Sequence, residues 1–199
     1  MTDRPVLDVP SPPGGWGPPW PNVAEIVRVL PREHWTLVGG LMTQLHGVDV
    51  VAGGADVVDV LVADHPAPSV VSRLRGRDMV AIEGGTQALR RTVLATLRIH
   101  GARATTISVP SAFGALVLKA AAYRTDSRNP ARHLQDAAVL LACLDDPYAA
   151  VEQYAGSDRA RVLTLHRALP DEAPQWRALA RDQAQQGQAA LRILVDAVR

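Results

Sequence analysis

The stretch from Trp35 to Val62 limits the fold more than any other part of this chain. An apolar run, Trp35-Thr36-Leu37-Val38, meets the double glycine Gly39-Gly40, which opens a helical pattern through Leu41, Leu45 and His46 before Gly47. A Gly-rich link follows, then a second apolar run from Asp56 to Ala63 that holds Asp56 and Asp59. Where a strand turns sharply into a helix, glycine supplies the positive φ that other residues avoid. The first N–H groups of a helix have no intrahelical partner and, with the helix dipole, favour a phosphate. The double glycine therefore has two readings, a tight turn or a phosphate-binding turn, and the sequence keeps both.

The acidic run bears on that choice. Nucleotidyl transfer with two metal ions needs carboxylates that converge from one sheet edge, because Mg²⁺ bridges the phosphates and activates the attacking hydroxyl. Two aspartates share a strand face when one residue separates them. Asp56 and Asp59 are three positions apart, so a regular strand turns them to opposite faces, and Val57 shares the face of Asp59. A bulge, or a strand that starts after Asp56, is needed to reunite the pair. As spaced, the metal site is short of a ligand. Asp78 is the nearest candidate for a third carboxylate, with Glu83 behind it.

The rest of the chain sets this stretch in an α+β frame. Residues 1–21 are rich in Pro and Gly, which build no regular element, and are expected to form a flexible arm that Trp16 and Trp20 can dock. Val23, Ile26, Val27 and Leu30 recur at helical spacing behind Asn22, a candidate cap. Strands are expected at Trp35–Val38, Asp56–Ala63, Asp78–Ile82, Val93–Ile99 and Ala104–Val109, with a helix after Pro66 or Ser69 and one helical turn at Thr86–Arg91. From Pro110 onward the pattern is helical. Ser111 opens a helix through Tyr123, the turn Asp126–Pro130 follows, and Arg132–Leu144 is amphipathic with Leu134, Ala137, Ala138, Leu140 and Leu141 facing inward. Further helices are expected near Tyr148, Asp158, Pro174 and Gln188. The domains read as a 1–21 arm, a 22–109 α/β core and a 110–199 helical region.

Composition narrows the function classes. A formal net charge of +1 over 199 residues excludes a general electrostatic attraction to nucleic acid or membrane. No apolar run approaches the ~20 residues that span a bilayer. The N-terminus lacks the apolar middle of a signal peptide, which places the protein in the cytoplasm. The single Cys143 leaves no internal disulfide; it reads as a core thiol. Lys119 is the only lysine among 21 basic residues, a bias that a GC-rich genome also produces. It reads either as a nucleotide-contacting cation or as a lysine whose stem packs while its head reaches water. Arg132 and Asp136 are four positions apart and are expected to pair along the helix. His46 reads as a helix-end residue, and His34, His65, His100 and His166 have no metal-ligand spacing.

Strand, Gly39-Gly40, helix ending in His46-Gly47, then an acidic strand resembles the nucleotidyltransferase fold shared with polymerase-β-like enzymes. More narrowly, it is similar to the AbiEii/AbiGii toxin family. Gly84-Gly85-Thr86-Gln87-Ala88-Leu89-Arg90-Arg91 resembles a segment common in those relatives, as does the run from Val109-Pro110 through Lys119 to Arg132-His133-Leu134-Gln135-Asp136. The resemblance spans roughly Trp35 to Pro147. It implies a polymerase-β-like nucleotidyltransferase domain, a small mixed sheet with helices, followed by a helical region. The implied activity is transfer of a nucleoside monophosphate from an NTP, with Mg²⁺, to RNA or protein. The implied site residues are Gly39, Gly40 and Lys119 for the nucleotide, Asp59, Asp56 and Asp78 for the metal, and Asp59, Lys119 and Asp136 for catalysis.

An antitoxin partner is implied by the same analogy, with neither DNA nor membrane expected. On the family's Thr-x-Asp-x-Asp pattern, Ala55 stands for the threonine, Val57 for the first aspartate and Asp59 for the second. His133 stands where relatives have an acidic residue, and the interval from Leu61 to Gly84 is short. A catalytically inactive nucleotide-binding or regulatory/interaction module of the same fold is the alternative.

Overall fold

The computed structural model describes residues 4–29, 35–47, 62–63, 81–100 and 103–198. The chain divides into two compact units, Met1–Ser111 and Ala112–Arg199. Both kinds of element are present, with strands in the first unit and helices throughout, so the α+β class holds.

The first unit is built on a three-stranded mixed sheet of β1 (Val6–Leu7), β4 (Thr92–Leu97) and β5 (Thr105–Pro110), in the order β1-β4-β5. β4 and β5 pair antiparallel from Thr92↔Pro110 to Leu97↔Thr105. Period-2 alternation explains their faces. Ala95 and Leu97 with Ile107 and Val109 enter the core, while the hydroxyls of Thr96 and Thr106 meet at 2.8 Å on the outer face. A second, two-stranded sheet pairs β2 (Val62–Ala63) parallel to β3 (Ala81–Ile82). Helices α1 (Trp20–Val29), α2 (Gly40–His46) and α3 (Gly85–Arg90) complete the described part.

Three sequence expectations change here. Residues 4–20 are no loose arm. β1 lies parallel to β4 in the register Val6↔Leu94, and Trp16 bridges to Ile99 through Trp16 N–H to Arg98 O at 2.9 Å and His100 N–H to Trp16 O at 2.9 Å. Trp16 and Trp20 pack at 5.2 Å between centroids inside the core cluster. Pro and Gly set the absence of a local element, but they do not decide whether backbone groups find a distant strand. Helix α1 starts at Trp20, ahead of Asn22, because the Gly17–Pro19 turn already accepts Trp20 N–H on Gly17 O. Residues 35–38 form no strand ladder. Leu37 N–H donates to Ser108 O at 2.8 Å and Thr36 Oγ1 donates to the same oxygen, which leaves one backbone bond beside β5.

The second unit is helical: α4 (Ala112–Thr125), α5 (Pro130–Ala142), α6 (Pro147–Val151), α7 (Asp158–Ala168), a 3₁₀ segment Pro174–Ala178 and α8 (Arg181–Asp196). Phe113 through Ala121 are all buried, so α4 is the central helix, apolar through this run except at Lys119. Leu134, Ala137, Ala138, Leu140 and Leu141 of α5 are buried as the amphipathic pattern requires. Proline opens α5 and α6 at the position where its missing N–H costs nothing, and Asp146 Oδ1 caps α6 by accepting Ala149 N–H at 2.9 Å. α8 begins seven residues before the expected Gln188. Tyr154 Oη donates to Leu194 O at 2.6 Å, tying the α6–α7 link to α8. No described helix is long and apolar enough to cross a membrane.

Candidate functional site

In the first unit, Gly39 and Gly40 open α2. Gly39 takes φ 86° and ψ −152°, a conformation open to glycine and almost nothing else. Among the described residues, no atom lies within 4 Å of the place a Cβ would occupy on either residue. The far end of α2 is fixed: His46 Nε2 lies 2.9 Å from Pro110 O. Its role is to anchor the helix end to β5.

In the second unit, Lys119 is the one charged residue in the buried run Phe113–Ala121 of α4. Its ammonium donates to Asp136 Oδ2 on α5, and the two side chains are 6% and 23% exposed. Burial pushes the Lys119 ammonium below 10.5, against the opposing pull of the Asp136 carboxylate and hydrogen bond, and the Arg132 charge pushes it the same way as burial. The structure thus brings Lys119 and Asp136 together. It does not pair Arg132 with Asp136, as their spacing had predicted. Arg132 Nη2 lies 3.2 Å from Asp126 Oδ2.

Asp126 is the residue that sequence reasoning missed. Its carboxylate accepts from Arg128 N–H at 2.9 Å, Asn129 N–H at 3.4 Å, His133 Nε2 at 2.9 Å and Arg132. The Arg128 backbone bond, then the His133 bond, holds its pKa down to about 2, with smaller help from Asn129 and Arg132. An ionised carboxylate only accepts, so His133 carries its proton on Nε2; Nδ1 is buried without a hydrogen-bond partner. The available signal was an Asp shortly before Asn129-Pro130, the residue type that binds backbone N–H groups two and three positions on at a helix entry.

Asp56, Asp59 and Asp78, expected to hold Mg²⁺, lie outside the described residues, as do His34 and His65. Among the described residues, no group of three or more His, Cys, Asp or Glu is arranged for a metal ion. Glu83 is exposed just before α3. Cys143 follows α5 directly and is half-buried, less enclosed than a core thiol. A cavity of about 330 Å³ in the second unit is lined by His166, Trp176, Gln188 and Arg192 among others, and none of the candidate residues lines it. Comparison with protein-family models, curated proteins and solved structures finds no match to this chain.

Proposed function

We propose that this chain is a nucleotidyltransferase-like protein, with a polymerase-β-like core. Its ancestral activity would be transfer of a nucleoside monophosphate from an NTP to RNA or protein, in the manner of the AbiEii/AbiGii toxins. One observation carries the reading: the only lysine of the chain is held inside the central helix of a helical unit by a single carboxylate. A buried ion pair is a poor way to gain stability, since similar-sized apolar groups do as well or better. Its presence is better accounted for by a charge that works on a ligand, and a phosphate group is a ligand that a lysine ammonium suits.

On this reading Gly39 and Gly40 offer backbone N–H groups to phosphate oxygens, and Lys119 neutralises phosphate charge. Asp136 orients Lys119 or accepts the acceptor's proton. Asp59, with Asp56 and Asp78, would hold Mg²⁺, which supplies charge neutralisation and nucleophile activation. A second reading follows from the Asp56–Asp59 spacing, which splits the pair across a regular strand: an inactive nucleotide-binding or regulatory module, with an antitoxin as the partner of a toxin-type system. Calorimetric titration with ATP, CTP, GTP and UTP, with and without Mg²⁺, tests both. The active reading expects binding strengthened by Mg²⁺ and lost in Lys119→Met. Binding indifferent to Mg²⁺ selects the second reading. Binding of no nucleotide overturns the active reading and leaves only the regulatory form of the second.

A further inference from the structure

Two cations are available to Asp136. Arg132 stands one helical turn before it on α5, the spacing at which Arg and Asp ordinarily pair along a helix. Lys119 reaches it from α4. The structure gives Asp136 to Lys119, while Arg132 turns back to Asp126 at 3.2 Å. Arg132 nevertheless remains close enough for its charge to act on the Lys119 ammonium. Asp126 is built to hold it: its side chain is 12% exposed, pinned by two backbone N–H groups and by the buried His133.

We propose that Asp126 is a positioning residue: it holds Arg132 away from Asp136, so that Asp136 is reserved for Lys119. Arginine is permanently charged, forks to fit a carboxylate and is less strongly hydrated than an ammonium, so it is the stronger competitor for a half-open carboxylate. Without the Asp126 charge, Arg132 swings onto Asp136 at its natural helical spacing. Lys119 is then left buried with less of its counter-ion. The importance of this arrangement rests on the reading of Lys119 and Asp136 as working residues, but the geometry and its test do not involve a nucleotide.

Because Lys119 is the only lysine, nitrogen-15 lysine labelling of the full chain gives a single side-chain ammonium signal by NMR. In Asp126→Asn, whose amide oxygen still accepts the Arg128 and Asn129 N–H groups, that ammonium should exchange with water roughly tenfold faster, the scale of losing one charge-assisted hydrogen bond. Adding Arg132→Gln to Asp126→Asn should restore the slow exchange, and Arg132→Gln alone should leave it unchanged. Asp126→Ser, which also caps the turn, should behave as Asp126→Asn does. Unchanged exchange in both Asp126 variants, or no restoration in the double variant, overturns the proposal. If both variants lose their helical circular dichroism, Asp126 is a turn-forming residue only and the proposal falls. Failure here leaves the nucleotide titration informative, and failure of that titration leaves this result standing.

Discussion

Gly39 shows how much a single backbone angle decides. Its φ of 86° with ψ of −152° is strained for any L side chain, while no described neighbour crowds the missing Cβ. Gly39→Ala should therefore cost about 1–3 kcal/mol from the backbone alone. Gly40, which has equal space and no positive φ, should accept alanine almost without loss. Chemical denaturation of both variants checks the contrast. At Lys119 the asymmetry lies between partners. Asp136→Asn leaves a buried ammonium unpaired, and should destabilise by somewhat less than the about 3–5 kcal/mol typical of a fully buried pair, because Asp136 is 23% exposed. Lys119→Met leaves the Asp136 carboxylate unpaired instead, and because that group is the more exposed of the two the loss should be smaller than in Asp136→Asn. Equal losses in the two variants would contradict this account. Residue identity made the glycines and the lone lysine legible in the sequence. The choice of Arg132 between Asp136 and Asp126 was not legible, because two pairings were chemically satisfactory and only the turn geometry separates them.

At the scale of elements, periodicity told most where the partner is local. The β4–β5 pair and α5 follow from alternation and a 3.6-residue repeat, since their faces are fixed by which residues enter the core. Residues 4–20 were misread for the opposite reason. Their prolines forbid a local element, yet β1 and the Trp16 bridge draw their hydrogen bonds from β4, far along the chain. Gly15 is required by that approach: a Cβ there would lie 2.7 Å from Arg98 O. Trp16 is 4% exposed in the core cluster, so Trp16→Ala should lose about 3–5 kcal/mol, as large-to-small core changes do. A floppy tail would show no change in the thermal midpoint. The short strand expected at 35–38 fails on the same principle, because an apolar run becomes a strand only where a neighbour supplies a full ladder.

At the scale of the whole molecule, three described groups, Asp126, Lys119 and Tyr154, tie stability to pH. Asp126 is held down to about 2 from 3.8, so its contribution is complete above 3.8 and is lost as pH falls toward 2. Lys119 has the reverse history: its pKa is lowered in the fold, so charging it opposes folding below that value. This opposition fades as pH rises to 10.5, and stability should climb across that window. Tyr154 is raised by burial from 10.0 to about 12, so its contribution is present below 10 and is lost as pH climbs toward 12. A plot of unfolding free energy against pH should therefore show an acid fall blunted in Asp126→Asn and an alkaline rise missing in Lys119→Met.

The strap of residues 4–16 also has a consequence in time. Arg4 Nη1 donates to Ser108 Oγ across 104 positions of chain, and β1 finds its partner only when β4 exists. Trp16, at the end of this strap, stays without its core contacts until β4 and β5 have paired. Pairings across this much chain raise the contact order, which slows folding. Until the sheet is complete, Trp16 is an exposed hydrophobic anchor and a natural handle for chaperones.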